Sequence, residues 1–349
     1  MERAKYNLGL ELLRALMCYG VVATHFWNPW EFYHLTVNIP RPLWFVAVMR
    51  NYAVPVFMLM AFYFATAKFV SGDGAWLRAR FRRLFVPYWG WSLVTFAVFG
   101  LLAFRFPAFA VTGRDLGWQL LLGTDKAIGS HMWFQSVLII LTALMAGAFR
   151  LVRPTRAVWA LVILFLLAVA VEYSGLNFKL FSPLVFEAKN PLGRVFPMLS
   201  YACVGMLLGL HRTGFRAFGL VERWVVSAIG FAMAAVFVNF PVFGVPEGFF
   251  YRGLNMLSVA VALFAAFGAL PTERVPEKAA RALLAVSRLS MGVYFTHILV
   301  GRLLTEFAYP ILGFKANCFR GTILVFAVCW LFCFALERLL PKPLKGLVQ

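Results

Sequence analysis

The segment NLGLELLRALMCYGVVATHFWNPW, residues 7–30, decides how the rest of the chain is interpreted. It is apolar over a length that can cross a bilayer as one helix. It nevertheless contains Glu11 and Arg14, and His25 lies near its end. Ionisable groups at membrane depth are costly and usually face a protein interior or a wet cavity. We therefore expect this helix to line the site where the protein works.

The spacing of these polar residues predicts that they share one face of the helix. Arg14 and His25 are eleven positions apart, which is three turns plus about 20°, or roughly 16 Å along the axis. Glu11 lies three residues before Arg14 and therefore near the same face. One stripe thus carries a cation toward one end and an imidazole toward the other.

Composition places the whole chain in the all-α polytopic membrane class. Of its 349 residues, 62% are hydrophobic and only 13% are charged, and long apolar runs recur throughout. We predict one integral membrane domain, residues 1–349, with about ten transmembrane helices in a bundle. The predicted spans are 8–27, 44–69, 84–104, 132–149, 157–173, 193–210, 224–240, 250–270, 283–305 and 320–338.

The basic residues predict the orientation of the helices. The formal charge of +19 comes from 33 Lys and Arg against 14 Asp and Glu. These cations cluster in alternate segments between apolar runs, which is the positive-inside pattern and not that of a nucleic-acid-binding protein. Both termini should then be cytoplasmic, with Arg14 toward the cytoplasm and His25 toward the outside. The remaining loops, 28–43, 105–131, 174–192, 241–249 and 306–319, should lie outside, and DLGWQLLLG in the second of them is suited to a short interfacial helix.

Four arginines precede the third predicted span. Arg78, Arg80, Arg82 and Arg83 lie within WLRARFRRLFVPYW. They could anchor the helix beside acidic lipid head groups. Forked guanidinium donors are also suited to phosphate groups, so a phosphate-bearing cofactor is the second interpretation.

Three further candidates lie in other apolar segments. His131 and Trp133 belong to GSHMWF, where they could form part of an interfacial aromatic belt. His297 lies in mid-span within SRLSMGVYFTHILV and needs a polar partner there. His25 itself could be an interfacial side chain, or a general base or acyl carrier near neutral pH. The cysteines show no metal-ligand spacing, so we expect no metal.

These segments together resemble the membrane-bound acyltransferase-3 family, whose members O-acylate cell-surface glycans. Arg14 to His25 matches the family's pattern of a basic residue, ten residues and a histidine. The resemblance covers nearly the whole chain. Within the family, we expect the chain to resemble the stand-alone members, which have no SGNH-type hydrolase domain. The other similar segments are PVFMLMAFYFA (55–65, with Ala61 and Phe62 where Ser-Gly is usual), RARFRRLFVPY (78–88, with Ala79 in the usual arginine register), HMWF (131–134), YACVGMLLGLHR (201–212) and SMGVYFTHILV (290–300).

The resemblance implies a function. Acyl-CoA, by default acetyl-CoA, would bind from the cytoplasm with its phosphates on the arginine cluster 78–83. The acyl group would cross the bundle and reach a hydroxyl of an extracytoplasmic glycan or lipid-linked sugar. Catalysis would fall to His25, Arg14 and Glu11, with His131, Trp133 and His297 in support. The expected location is the bacterial cytoplasmic (inner) membrane, among membrane lipids and with envelope-synthesis proteins or a second copy as possible partners.

Two other functions are compatible with the pattern. A transporter or flippase of lipid-linked sugar intermediates would also place ionisable residues along a path through the membrane. Inverted repeats would favour that function, and none is apparent in the sequence. A scaffold of an envelope-synthesis complex would not require Arg14 and His25 to share a face.

Overall fold

The computed structural model describes residues 7–26, 50–123, 130–152, 156–173, 192–211, 219–239, 254–313 and 319–348. Over these ranges the chain is helical and contains no strand, which confirms the predicted all-α class. In chain order the longer helices are α1 Leu8–Phe26, α2 Ala53–Val70, α3 Gly74–Ala103, α4 Gly113–Leu122, α5 Trp133–Leu151, α6 Ala157–Tyr173, α7 Leu192–Leu210, α8 Leu220–Asn239, α9 Leu254–Ala269, α10 Glu277–Arg288, α11 Ser290–Leu303 and α12 Phe319–Leu339.

The described helices lie at the positions along the chain where spans are predicted. The count of ten spans stays a prediction. Each predicted span overlaps at least one described helix. Five helices in the described part of the chain are long and apolar enough to cross a membrane, or six if the bent pair Glu277–Arg288 and Ser290–Leu312 is one span. Residues 27–49, 174–191 and 240–253 lie outside the described residues. They contain the predicted outer loops 28–43 and 241–249 and all but the last residue of 174–192.

Helix α3 is longer than the predicted third span. It begins at Gly74, ten positions before the predicted start, and continues through Pro87 to Ala103. Its N-cap is Asp73, whose carboxylate accepts the Trp76 backbone N–H at 2.8 Å, a bond that satisfies one of the unpaired donors at a helix start. The arginine cluster therefore lies on the first turns of a helix about 45 Å long.

The segment DLGWQLLLG forms the helix that its sequence predicts. The side chain of Thr112 accepts the Asp115 backbone N–H, and the Asp115 carboxylate accepts the Thr112 backbone N–H, which is a capping box. Gly123 ends α4 in the left-handed conformation, with φ of 68°, where a residue without Cβ is favoured.

The chain divides into two compact units that alternate along the sequence. Unit 1 comprises Met1–Ala61, His211–Ala335 and Gln349, and unit 2 comprises Phe62–Leu210 and Leu336–Val348. The prediction of a single domain is not tested by this division and stays a prediction.

Unit 1 is built around α1. This helix packs against α9, α10 and α11, while α8 packs along α9. Gly9 allows the close approach of α1 to α9, because a Cβ at this position would collide with the Phe267 carbonyl. At the start of α1, the Asn7 side chain accepts the Leu10 N–H at 3.1 Å and donates to the Gly268 carbonyl at 2.8 Å. The helix is thus capped and attached to α9 by one residue.

Unit 2 is built around α3. This helix contacts α4, α5 and the C-terminal 3-10 turn Lys342–Leu347, and α7 packs against α5 and α6. The Tyr88 hydroxyl, buried on α3, donates to the Gln119 carbonyl of α4. Ser136 on α5 donates to the same hydroxyl at 3.2 Å. These bonds fix three helices around a buried tyrosine.

Candidate active site

The first polar group of α1 is an ion pair on the face that the sequence predicts. Arg14 Nη1 lies 3.1 Å from Glu11 Oε2. The Ser287 hydroxyl of α10 donates to the same carboxylate oxygen. The Arg14 side chain is 29% exposed and that of Glu11 only 10%. The carboxylate is therefore held from two sides, and it holds the guanidinium in one place.

The second polar group of α1 is a pair of histidines. The rings of His25 and His297 have their centroids 5.1 Å apart and are tilted by 46°. His25 is exposed at the end of α1, whereas His297 is completely buried in α11. In the sequence analysis the two histidines are independent candidates, 272 positions apart. The fold of unit 1 brings them together.

The backbone of α11 determines the tautomer of a neutral His297. Its Nδ1 lies 2.6 Å from the Tyr294 carbonyl oxygen. A carbonyl only accepts hydrogen bonds, so Nδ1 must carry the proton. In the neutral ring the lone pair is then on Nε2, at the other edge of the imidazole.

Neighbouring residues fix the end of α1 that carries His25. The Thr322 hydroxyl of α12 donates to the Phe26 carbonyl at 3.1 Å. The Thr24 hydroxyl donates to the Gly20 carbonyl at 2.9 Å and lies 3.3 Å from the Arg50 carbonyl. The Phe26 ring fits against Gly301, where any Cβ would collide with it. Contacts from three parts of unit 1 thus limit the movement of this helix end.

The two polar pairs are separated along α1 by small or apolar side chains. Cys18, Val21 and Val22 are all buried between them. The Cys18 thiol lies 3.6 Å from the Ser290 carbonyl at the start of α11. The face from Arg14 to His25 is therefore polar at both ends and apolar in the middle.

The arginine cluster of unit 2 contains two kinds of environment. Arg78, Arg82 and Arg83 are exposed on α3. The Arg80 guanidinium lies instead among three aromatic rings, 5.4 to 5.8 Å from their centroids, and its Nε donates to the Thr142 hydroxyl at 3.3 Å. The rings belong to Phe62, Phe69 and Trp76. The structure thus leaves three of the four predicted residues exposed and encloses the fourth.

In unit 2, His131 lies in the 3-10 turn before α5 and Trp133 is the first residue of α5. Both are buried, with exposed fractions of 3% and 7%. The Trp133 ring faces the guanidinium of Arg194, whose central carbon lies 3.9 Å from the ring centroid, a cation–π contact. Arg194 was not a predicted site residue, because an arginine near the end of a span usually anchors it.

Other residues of the site were not predicted. Ser287 binds Glu11, and Thr142 binds Arg80. A hydroxyl carries no distinctive sequence signal, although Ser287 opens the quoted segment SRLSMG. Within the described ranges, no group of three or more His, Cys, Asp or Glu side chains is placed to hold a metal ion.

The apolar helices and the enclosed ionisable pairs define an integral membrane protein with a polar site inside unit 1. The chain matches the sequence profile of the acyltransferase-3 family, described as an acyltransferase domain, over residues 7–338. It therefore belongs to that family, which implies a membrane acyltransferase activity. No curated protein and no solved structure matches the chain significantly.

Proposed function

We propose that the protein transfers an acyl group, by default acetyl, from cytoplasmic acyl-CoA to a hydroxyl of an extracytoplasmic glycan or lipid-linked sugar. The observation that carries the proposal is the contact between His25 and His297, on the helix whose other polar pair is Arg14 and Glu11. An anion-binding cation and a candidate base on one face suit a donor that has phosphates at one end and a thioester at the other.

His25 is the base in this proposal. The ring centroids lie 5.1 Å apart, so a rotation of the His25 ring can bring one of its N–H groups within hydrogen-bond distance of Nε2 of His297. In the proposed mechanism His25 donates to that nitrogen. The other nitrogen of His25 then carries a lone pair. A second group that fixes the tautomer of a catalytic histidine is a recurrent arrangement in acyl transfer. His297 is thus a positioning residue.

The reaction balances with these groups alone. His25 removes the proton of the acceptor hydroxyl as the oxygen attacks the thioester carbonyl. The carbon–sulfur bond then breaks, the ester remains on the sugar, and the CoA sulfur leaves with the proton from His25. General base catalysis by a positioned histidine typically contributes about 10²- to 10⁴-fold.

The donor lies along α1 in this proposal. Arg14 binds an anionic part of acyl-CoA, and the thioester arm extends past Cys18, Val21 and Val22 toward His25. Those side chains are small or apolar, as is suitable for an uncharged arm, and the two ends are roughly 16 Å apart. By the family resemblance, Arg78, Arg82 and Arg83 would also bind phosphates of the donor, and His131 and Trp133 would support the acceptor.

The test uses the whole protein in lipid vesicles with radiolabelled acetyl-CoA and envelope extract as acceptor. We expect His25→Ala to lose at least about 100-fold in transfer rate while it still binds CoA. His211→Ala, which changes an exposed histidine directly after α7, is the matched control and should transfer normally. An unchanged rate in His25→Ala would contradict the catalytic assignment. Movement of lipid-linked sugar without any acyl transfer would support the transporter instead.

The acceptor and the acyl group need a separate measurement. Mass spectrometry of surface glycans from cells with and without the gene measures the added mass and identifies the modified sugar. We expect one acetyl mass per modified hydroxyl in bacterial cells whose inner membrane contains the protein. Identical glycan masses in the two strains would contradict the proposed acceptor class.

A further inference from the structure

Helix α10, with the sequence EKAARALLAVSR, has a basic face that the proposed reaction does not use. Lys278 and Arg281 are exposed on it, three positions apart, and Arg274 is exposed in the preceding turn. Glu277 lies beside them and forms a 3.8 Å contact with Arg281, with both side chains more than half exposed. Such a contact contributes little in water, so the face remains cationic.

The opposite face of α10 is buried against unit 1. Ala280 and Ser287 are each 1% exposed, and they are seven positions apart, which places them on one stripe of the helix. This stripe is about 200° from Lys278 around the axis. The helix is therefore cationic on one side and attached to the protein on the other.

The bend after α10 and the charges of α10 favour a position of this helix at a membrane surface. The axis of α10 is bent by 58° from that of the following segment Ser290–Leu312. A helix with this many exposed charges cannot lie in hydrocarbon, whereas a basic amphipathic helix is suited to the interface. The positive-inside pattern assigns this segment to the cytoplasmic side, where the leaflet carries negative lipids.

The buried face of α10 connects this surface to the polar site. Ser287 donates to the Glu11 carboxylate, and that carboxylate holds Arg14 at 3.1 Å. A displacement of α10 from α1 would remove one of the two contacts that fix Glu11. The position of Arg14 therefore depends on where α10 lies.

We propose that the basic face of α10 binds the head groups of anionic phospholipids, and that this binding holds Ser287 against Glu11 and so positions Arg14. The part that concerns activity rests on the proposed function, whereas the binding of lipid does not. Each cation near a negative surface strengthens binding by about fivefold. Lys278 and Arg281 together should contribute roughly 25-fold.

The binding is tested by hydrogen exchange of the full chain in nanodiscs of neutral phosphatidylcholine, with and without 30% phosphatidylglycerol as a typical anionic fraction. We expect the amides of residues 277–288 to exchange about ten- to thirtyfold more slowly in the anionic discs. The Lys278→Gln, Arg281→Gln double variant should lose this difference. The matched control is Arg105→Gln, Arg114→Gln, which removes two exposed arginines of unit 2 and should retain it.

The consequence for Arg14 is tested by kinetics in the same discs. We expect anionic lipid to lower the KM for acetyl-CoA in the wild type and in the control, and to have little effect in the Lys278, Arg281 double variant. Equal exchange of 277–288 in both kinds of disc would overturn the proposal. Slower amide exchange of 277–288 in anionic discs without any change in the KM for acetyl-CoA would overturn the link to Arg14. The lipid-binding part of the proposal would then stand by itself. A double variant that binds CoA more weakly in neutral discs would assign the face to CoA phosphates instead, which also overturns the proposal.

Discussion

The polar residues of unit 1 and the arginines of unit 2 are held in different ways. In unit 1, Glu11 and His297 are buried where α1 meets other helices, and each binds a partner far away in the chain. In unit 2, Arg78, Arg82 and Arg83 project from one helix into exposed positions. The first set is held by contacts within the protein before any substrate arrives, and the second set is exposed on one helix.

This difference supports the different roles that we propose for the two sets. A reaction needs groups held close to their productive positions, and the buried pairs of unit 1 meet that requirement. Exposed arginines attract an anion and release it easily, because their hydrogen bonds compete with water. We therefore expect changes in unit 1 to reduce kcat or destabilise the site, and changes on the exposed face of α3 to raise the KM for acyl-CoA.

The largest effect should come from His297. His297→Asn keeps an N–H near the Tyr294 carbonyl but has no group at the position of Nε2. We expect it to lower kcat by about 100-fold, since His25 then loses its partner. His297→Gln places an amide oxygen near the Nε2 position, and it should retain more activity.

The pH–rate profile and the thermal unfolding temperature separate this role from a purely structural one. A positioning role predicts that His297→Asn shifts the acid limb of the profile at an unfolding temperature close to that of His297→Gln. Equal rates in the two variants, or a loss of rate that simply follows a loss of stability, would make His297 a packing residue.

The next largest effect should come from the Glu11 carboxylate. Glu11→Gln keeps the size of the side chain but removes the charge that holds Arg14. We expect the KM for acyl-CoA to rise roughly tenfold, about 1.4 kcal/mol, because Arg14 is no longer positioned. Ser287→Ala removes only one hydrogen bond to Glu11 and should have a smaller effect in the same assay. A larger effect of Ser287→Ala would show that α10, and not the ion pair, positions Arg14.

The sequence predicts the parts of this site that lie on one helix. Arg14, Glu11 and His25 follow from the helical period of α1, and the family resemblance follows from motifs in order along the chain. It does not predict that His25 meets His297 or that Glu11 meets Ser287, because these contacts span 272 and 276 positions. Their formation depends on the packing of α10 and α11 against α1, which periodicity within one helix does not determine.

Two of the predicted spans differ in extent from the helices that they overlap, for similar reasons. Hydropathy places the start of the third span at residue 84, whereas α3 begins at Gly74, because the Asp73 cap and not apolarity starts the helix. The ninth predicted span, 283–305, combines the end of α10 with α11 across a 58° bend. A sliding average of hydrophobicity includes the apolar residues on the buried stripe of α10 and does not detect the bend.

Arg80 and Arg82 allow the comparison between an enclosed and an exposed arginine to be tested within one helix, α3. Arg80→Ala removes a guanidinium from its aromatic surroundings, and we expect a loss of up to about 2 kcal/mol of stability with a lower unfolding temperature. Arg80→Lys should recover only part of this stability, since an ammonium does not stack as a guanidinium does.

Arg82→Ala with Arg83→Ala should leave the unfolding temperature unchanged and weaken CoA binding about tenfold. Unchanged CoA affinity in that double variant would make the exposed arginines a topological anchor.

The smallest effect should come from the cap of α3. The Trp76 backbone N–H, together with the ammonium of Lys68, holds the pKa of the Asp73 carboxyl below its usual value. The folded protein therefore favours the charged form, so this stabilisation is complete above the ordinary pKa of about 4 and is lost as the pH falls through the lower folded value. Asp73→Asn keeps a capping side chain and removes only the charge. The difference in unfolding temperature between wild type and variant should be constant from pH 7 to about pH 5 and then decrease toward pH 3. A difference in unfolding temperature that stays constant to pH 3 would show that the charge of Asp73 does not stabilise α3. The start of the helix that carries the exposed arginines would then depend on the hydrogen bonds of the cap alone.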